Sequence, residues 1–417
     1  MEDAPIGSTS AVGPMTAHSG RVDVIGKEAV VSNSDIDRIL RDAVSQGAVP
    51  HVVALAADPS GCIYQGAAGP MASGSPEPVG PGSLFRIASM TKIVTTIAVL
   101  QQVERGNLDL DEHVDAYLPR FADIGVLDGF DGDRPLVRPP ARRATVRQLL
   151  THTAGLGYWF WSAEVQRWQM VNGVVNPLAS DQASYLSAPM VVDPGERFIY
   201  GIGVDWLGEV VEKTSGATLQ DYFRQEIFQP LEMSSTMFAP DADARQGLVP
   251  IHLRTPDAGW IATDFDLQDP ESWHSGGHGL YSTPNDFLRL QRALLAGGSL
   301  DGSAVLRKDT VDEMFSNQIG DLVFPAHIPT ADPVVASSWN GPSGMKWGYG
   351  LLLTTDQEPG FRAPGSGGWA GLFNTYFWID RKSKIAGAVY SQFCPFADPA
   401  MLAVSRNFEN RLYRAMV

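Results

Sequence analysis

Ser89 and Lys92 are the residues of this 417-residue chain whose types and spacing best fit covalent chemistry. They begin an apolar run, residues 93–100, which predicts a buried helix that returns to solvent at residues 101–105. On such a helix both side chains project from the same side, one turn apart. A serine hydroxyl is a poor nucleophile until a base takes its proton. A partly desolvated lysine amine can have a pKa low enough to be that base, and the helix N-terminus favours the negative charge that develops.

The same spacing also has an ordinary explanation. Ser-x-x-Lys occurs by chance in most proteins of this length, and a serine at a helix start is usually only a cap. The motif therefore becomes a catalytic hypothesis only if the rest of the chain supports it.

Tyr200 is a third candidate, because it lies on a turn immediately before a predicted helix. The neighbouring Gly201 and Gly203 would allow close backbone approach at this turn. The side chain could be a hydrophobic anchor. If it faces Ser89, its phenol could instead carry a proton.

Three histidines lie in turn-like segments and are further candidates. His152 follows a short predicted helix inside Thr151–Gly155, where a histidine is expected to bond nearby backbone rather than act as a base. His274 and His278 flank a Ser-Gly-Gly turn without an adjacent carboxylate or cysteine ligand, so a metal site is not expected there.

Aromatic residues are concentrated in a segment without a helical or strand period. The cluster contains Tyr158, Trp159, Phe160 and Trp161. Aromatic residues in a loop can be local core, or they can form the wall of an apolar ligand pocket. Both interpretations stay open, with Tyr158, Trp159 and Trp161 as candidate substrate-binding residues.

The elements that must position these residues come from both ends of the chain. Residues 52–66 predict a hairpin, further strands are predicted at residues 349–353, 372–379 and 385–390, and helices are predicted near both ends. We therefore expect an α+β fold in which residues 34–106 and 301–417 form an antiparallel sheet with flanking helices. Residues 107–300, with short helices and long loops, are expected to form an inserted, mostly helical domain, and residues 1–33 a flexible lead-in.

Composition excludes several classes of protein. The net charge of −16 argues against a nucleic-acid surface, and no apolar stretch approaches the length of a membrane span. The two cysteines, Cys62 and Cys394, form no metal or disulfide pattern and are expected to be buried thiols. Since residues 1–30 lack the pattern of a secretory signal, a cytoplasmic enzyme is expected. The sequence gives no indication of an oligomeric state.

Five segments in a fixed order resemble the serine β-lactamase-like superfamily. They are Phe85–Lys92, Leu149–Gly155, Pro194–Tyr200, Pro230–Met233 and Gly277–Thr283. The resemblance runs from about residue 35 to the C-terminus and implies a β-lactamase and penicillin-binding-protein-like fold, with Ser89 as the nucleophile.

Within that superfamily the chain looks most like the class C β-lactamase-like esterases, often called family VIII carboxylesterases. Class C β-lactamases carry Tyr-x-Asn, whereas this chain has Tyr200-Gly201-Ile202. They also carry Lys-Thr-Gly where this chain has Trp369-Ala370-Gly371. A tryptophan offers no positive charge to a substrate carboxylate, so apolar esters are expected in place of β-lactams or peptide C-termini. No Gly-x-Ser-x-Gly nucleophile elbow is present.

The implied mechanism is that of a serine carboxylesterase acting on a small-molecule ester without a metal or organic cofactor. Ser89 would form the acyl-enzyme, with Lys92, Tyr200 or the pair as base and proton relay. The resemblance places the oxyanion hole at the backbone N–H groups of Ser89 and Leu372, and substrate contacts at Trp369 and Gly371. A β-lactamase or peptidase, an amide hydrolase and an acyltransferase would use the same machinery, and a non-catalytic binding module is the alternative from another class.

Overall fold

The computed structural model of the chain describes residues 33–174, 177–257, 259–267 and 273–415. The predicted lead-in, residues 1–33, lies outside the described residues except for the backbone of Asn33. The helices are, in chain order, α1 (Asn33–Ser45), α2 (Thr91–Glu104), α3 (Val114–Tyr117), α4 (Val146–Leu150), α5 (Ala163–Val171), α6 (Gln182–Leu186), α7 (Gly203–Ser215), α8 (Leu219–Phe223), α9 (Ala242–Arg245), α10 (Pro284–Leu295), α11 (Lys308–Met314) and α12 (Pro399–Arg414).

The strands form one large sheet and several small ones. In chain order they are β1 (Val52–Asp58), β2 (Gly61–Ala68), β3 (Phe85–Arg86), β4 (Val126–Asp131), β5 (Arg134–Arg138), β6 (His252–Arg254), β7 (Trp260–Ala262), β8 (Tyr281–Ser282), β9 (Ser299–Leu300), β10 (Ser303–Ala304), β11 (His327–Ile328), β12 (Trp339–Asn340), β13 (Lys346–Trp347), β14 (Leu352–Leu353), β15 (Gly367–Gly371), β16 (Thr375–Asp380), β17 (Ile385–Tyr390) and β18 (Phe393–Cys394).

The large sheet joins the two ends of the chain, as expected. Its seven strands run in the order β13-β14-β15-β16-β17-β1-β2, and every neighbouring pair is antiparallel. The N-terminal hairpin β1–β2 is attached to the C-terminal strands through β17, with Val53 opposite Tyr390. The predicted α+β class with an antiparallel sheet from both ends is confirmed.

Helices cover both faces of this sheet, which is why β16 and β17 are buried at every position. Successive strand residues point to opposite faces. The ring of Phe377 therefore lies 5.2 Å from Phe287 of α10, whereas the next residue, Trp378, lies 5.7 Å from Phe408 of α12 on the other face. α1 and α12 are the expected terminal helices. α10 covers the opposite face and comes from residues 107–300, the range predicted to be mostly helical. The boundaries of the two predicted domains stay a prediction.

α2 is the central helix of the molecule. All its residues from Thr91 to Gln102 are buried, as expected for a helix that is apolar on most sides. It packs against α7 and α8, and Gln101 donates hydrogen bonds to the backbone oxygens of Glu226 and Val305. The helix that carries Lys92 is therefore fixed from several directions.

Two smaller expectations have different outcomes. The prediction that both cysteines are buried is wrong: Cys62 is exposed and Cys394 is half-buried. Cys62 lies on β2, an edge strand with one face to solvent, so alternate residues of that strand are exposed. None of the described helices is long and apolar enough to cross a membrane.

Candidate active site

Ser89 lies on a single 3₁₀ turn, Ala88–Met90, directly before α2. Ala88 has a φ of 42°, a left-handed conformation that costs energy for a residue with a side chain. The turn is fixed by hydrogen bonds from the Met90 N–H to the Ile87 oxygen at 3.0 Å and from the Ile87 N–H to the Leu280 oxygen at 3.1 Å. Ala88 and Met90 are buried, whereas Ser89 is only half-buried and can be reached by a substrate.

Lys92 is the buried cation beside Ser89, with 1% of its surface exposed. Its Nζ lies 3.1 Å from Ser89 Oγ, 3.0 Å from the Tyr158 hydroxyl and 2.7 Å from the Gly277 carbonyl oxygen. Burial lowers the pKa of Lys92 to about 7, against the opposing effect of the Asp205 charge. Near neutral pH a large share of this amine is therefore unprotonated and able to accept the serine proton.

Tyr200 lies beside the same two residues. Its phenol interacts with the Ser89 hydroxyl and accepts a 2.8 Å hydrogen bond from Trp369 Nε1. Its ring centre lies 5.0 Å from Lys92 Nζ. Burial raises the pKa of the Tyr200 phenol. The directions of the two pKa shifts favour the Lys92 amine as the base and a neutral Tyr200 phenol as a proton donor, a choice that the sequence left open.

The His152 ring packs against the Tyr200 ring. Its ring centre is 4.6 Å from that of Tyr200, and its Nδ1 accepts a hydrogen bond from the Gly201 N–H at 3.4 Å. Burial, with the charge of Lys92, lowers the pKa of His152 well below its usual range, so the ring is neutral. His152 thus bonds backbone rather than acting as a base in this structure, but its partner is Gly201 and not the expected backbone of its own turn.

A polar network that the sequence did not reveal extends from Lys92 into the helical part. The Tyr158 hydroxyl, 3.0 Å from Lys92, lies 3.5 Å from the buried Asp205 carboxylate on α7. Gly277 connects the same groups a second time, since its N–H donates to Asp205 at 3.0 Å and its oxygen accepts from Lys92. Ser275 donates a short hydrogen bond to Asp205. Tyr158, expected as core or pocket wall, is thus a direct neighbour of the candidate base.

The carboxyl of Asp205 is held ionised by this network. Burial alone would raise its pKa, but His278, Lys92 and Ser275 together lower it below the ordinary value. A single acidic residue inside the apolar stretch Val204–Leu207 was the one sequence signal for such a role.

β15 brings the predicted oxyanion-hole residue to the serine turn. A Cβ added at Gly371 would meet the Ile87 oxygen at 2.3 Å, so only glycine allows the strand to approach this closely. Leu372 follows on the turn between β15 and β16, whereas a strand was predicted at this position, because the tight connection to Thr375 starts immediately after Gly371. Ser89 and Leu372 line the same small cavity.

Two cavities share a wall at this point. The small one, beside Ser89, is also lined by Tyr158, Phe160 and His278. It shares Leu178, Leu372 and Phe373 with a cavity of about 240 Å³ that is mostly apolar.

The remaining candidate substrate-binding residues lie in different places. Trp159 lines the larger of the two cavities. The Trp161 ring lies 5.8 Å from Tyr200 and its Nε1 donates to the Ser337 oxygen. Trp369 packs on Tyr200 at 4.8 Å and also lines a separate cavity of about 470 Å³. Their substrate contacts stay a prediction.

The fold, with a serine at the start of a central helix and a sheet strand beside it, defines the class of serine β-lactamase and penicillin-binding-protein-like enzymes. The chain belongs to the Beta-lactamase family, whose family model matches residues 36–403. The resemblance expected from the sequence is confirmed.

Individual relatives include both hydrolases and transferases. The chain is 32% identical to a lovastatin esterase of Penicillium rubens, over 91% of this chain and 98% of that protein. It is 30% identical to a monacolin J acid methylbutanoyltransferase of Aspergillus terreus, over 91% of this chain and 95% of that protein. Among solved structures, a mutant simvastatin synthase from Aspergillus terreus superposes with a TM-score of 0.77 at 28% identity, over 93% of this chain and 99% of that chain. The expectation of an enzyme with serine-hydrolase machinery is confirmed at this level.

Removing the nucleophile tests the site directly. Ser89→Ala should abolish turnover of a p-nitrophenyl ester and leave the circular dichroism spectrum unchanged, because it removes one half-buried hydroxyl. Tyr200→Phe should lower kcat by about 100-fold through loss of the proton donor. An active Ser89→Ala protein would exclude Ser89 as nucleophile, and wild-type rates for Tyr200→Phe would reduce Tyr200 to a packing residue.

The pKa of Lys92 predicts the pH dependence of acylation. With the neutral amine as the candidate base, the acylation rate should rise with pH through a midpoint of about 7. The Asp205 charge raises the pKa of Lys92, so Asp205→Asn should move this midpoint to lower pH. Pre-steady-state release of p-nitrophenol measures both. Asp111→Asn, which changes an exposed carboxylate paired with Arg147, is the control, and a midpoint that does not move in Asp205→Asn would contradict the assignment.

Proposed function

We propose that the protein is a carboxylesterase that hydrolyses apolar esters through an acyl-enzyme on Ser89. The observation that carries this proposal is the contact of Ser89 with a buried lysine whose pKa is about 7, beside a small cavity that shares three lining residues with an apolar one. The nucleophile and its base are in hydrogen-bond contact, which acyl transfer requires.

Acylation follows from this geometry. Ser89 Oγ attacks the ester carbonyl carbon while its proton passes to the Lys92 amine. The backbone N–H groups of Ser89 and Leu372 are the proposed donors to the oxyanion. When the carbon–oxygen bond to the leaving alcohol breaks, Tyr200 gives its phenolic proton to that alcohol, and the proton held by Lys92 then returns to the Tyr200 oxygen. The alcohol departs, and the acyl group stays on Ser89.

The surroundings favour apolar substrates. The cavity of about 240 Å³ beside the site is lined by aliphatic and aromatic side chains, including Ile251, Leu253 and Phe265. Trp369 occupies the position at which class C β-lactamases carry a lysine, so no positive charge is offered there. Its indole N–H donates a hydrogen bond to the Tyr200 hydroxyl. Apolar esters therefore fit this site better than carboxylate-bearing β-lactams or peptides.

Acyl transfer to an alcohol is the second candidate function. The relatives support it about as strongly as hydrolysis, since the named esterase and the named methylbutanoyltransferase are similarly identical to this chain. An ester with a short branched acyl group is the natural first substrate, because the transferase is named for such a group. β-Lactam or amide hydrolysis is a weaker alternative that the same experiment can test.

Product analysis separates these functions. Purified protein is given p-nitrophenyl 2-methylbutanoate with and without a bulky alcohol, in parallel with a chromogenic cephalosporin, and the products are identified by mass spectrometry. We expect the free acid as the main product, slow cephalosporin turnover and no reaction with Ser89→Ala. Predominant formation of a new ester would make the protein a transferase, and efficient cephalosporin cleavage would contradict the role given to Trp369.

The cavity of about 240 Å³ is the proposed site of the acyl chain. Leu253 lines it and is 38% exposed, so Leu253→Trp should narrow the cavity without disturbing the core. The variant should lose kcat/KM about 10-fold for a long acyl chain and much less for an acetate ester. Val137→Trp is the control, because Val137 is also an aliphatic strand residue, is 50% exposed and lines neither cavity. Equal losses on both esters would exclude this cavity as the acyl site.

A further inference from the structure

Leu372 lies in a short turn, residues 372–374, that connects β15 to β16. Its N–H is one of the two proposed oxyanion donors, and among the residues that the structure describes none accepts a hydrogen bond from it. The conformation of the turn therefore sets the direction of this N–H. Because misplacing a catalytic group by about 1 Å can cost a rate factor of about 100, the residue that fixes the turn matters for the reaction.

Asn374 is the last residue of this turn and has an uncommon backbone conformation. Its φ is 66°, in the left-handed region that asparagine tolerates better than most residues with a side chain. Its N–H donates to the Gly371 oxygen at 3.0 Å, which closes the turn. Its carbonyl oxygen accepts from the Ser391 N–H at 3.2 Å. The backbone of Asn374 is thus held at both of its polar groups.

The Asn374 side chain is fully buried and makes four hydrogen bonds. Its Nδ2 donates to the Phe393 oxygen at 2.9 Å and to the Pro395 oxygen at 2.8 Å. Its Oδ1 accepts from the Tyr376 hydroxyl at 2.9 Å and from the Asp398 N–H at 3.4 Å. An amide is the side-chain group that can donate twice from one atom and accept at the other, so this environment matches asparagine.

These contacts attach the turn to a wall of the proposed acyl site. Cys394, which lies between the two residues that accept from Nδ2, lines the cavity of about 240 Å³. Leu372 and Phe373 line both this cavity and the small one beside Ser89. The Asn374 amide therefore fixes the turn relative to the cavity in which the substrate is proposed to bind.

We propose that Asn374 is the positioning residue of the oxyanion hole and holds the Leu372 N–H in place for the carbonyl oxygen of an ester attacked by Ser89. This inference rests on the proposed function. Asn374 does not touch the reacting atoms and acts through the turn. Since the oxyanion forms only as the reaction proceeds, loss of the amide should lower kcat much more than it raises KM.

The trifluoromethyl ketone analogue of a 2-methylbutanoate ester is the probe for this role. Its adduct with Ser89 is tetrahedral and carries a negatively charged oxygen, so its Ki reports on the oxyanion hole. Asn374→Gly keeps the left-handed backbone and removes all four side-chain hydrogen bonds. We expect kcat for p-nitrophenyl 2-methylbutanoate to fall about 30-fold and the Ki of the ketone to rise about 30-fold, with KM changed less than about twofold.

Tyr376→Phe is a milder variant of the same arrangement. It removes one of the four hydrogen bonds to the Asn374 amide and should raise the Ki of the ketone about 3-fold. The amplitude of the p-nitrophenol burst gives the concentration of active protein for every variant, so a partly unfolded sample is not mistaken for a weaker oxyanion hole.

Gln291→Ala is the matched control. Gln291 lies on α10 and is fully buried, and its Nε2 also donates to two backbone oxygens, those of Trp378 at 3.1 Å and Gly387 at 2.9 Å. The variant should lower the melting temperature, as Asn374→Gly does, and should leave the Ki of the ketone unchanged.

The possible failures are distinguishable. An unchanged Ki in Asn374→Gly, or in Tyr376→Phe if the glycine variant does not fold, would overturn the role of Asn374. An equal rise of the Ki in Gln291→Ala would also overturn it, because the effect would then follow stability alone. If the wild-type protein forms no acyl adduct on Ser89 with the ester, the proposed function itself fails.

Discussion

The burial of the Lys92 amine is the constraint on which the rest of the site depends. An ammonium group without polar partners in an apolar interior is strongly destabilising, and this one has three oxygen atoms within hydrogen-bond distance. The negatively charged Asp205 carboxylate does not contact the Lys92 amine directly. Tyr158 and Gly277 lie between the two groups, and each interacts with both of them. A direct ion pair would hold the lysine protonated, whereas this indirect arrangement leaves its pKa near neutrality and keeps the amine available as a base.

Sequence patterns predicted the parts of this molecule that depend on local periodicity. The helix that carries Lys92 and the hairpin of β1 and β2 could be recognised because their apolar spacing is a property of consecutive residues. Asp205 and His278 could not, since their partners lie far away along the chain and only packing brings them together. Leu372 was expected on a strand because its apolar neighbours look alike whether they extend or turn.

Trp369 connects substrate choice with proton transfer. Its position suggested only the absence of a cation for a substrate carboxylate, but its indole also donates to the Tyr200 hydroxyl. Tyr200 in turn lies between Trp369, His152 and Lys92. A change at Trp369 therefore alters the surroundings of the candidate proton donor as well as the wall of the separate cavity of about 470 Å³, and the two effects cannot be separated by substrate range alone.

The sheet that joins the two ends of the chain has a consequence for biosynthesis. β1 pairs with β17, and the turn that carries Ser89 is packed against β15. The N-terminal strands leave the ribosome long before either partner exists, so the early chain contains Ser89 and Lys92 but neither the sheet nor Leu372, the proposed oxyanion donor. The proposed site can therefore be completed only after residues near Tyr390 have emerged.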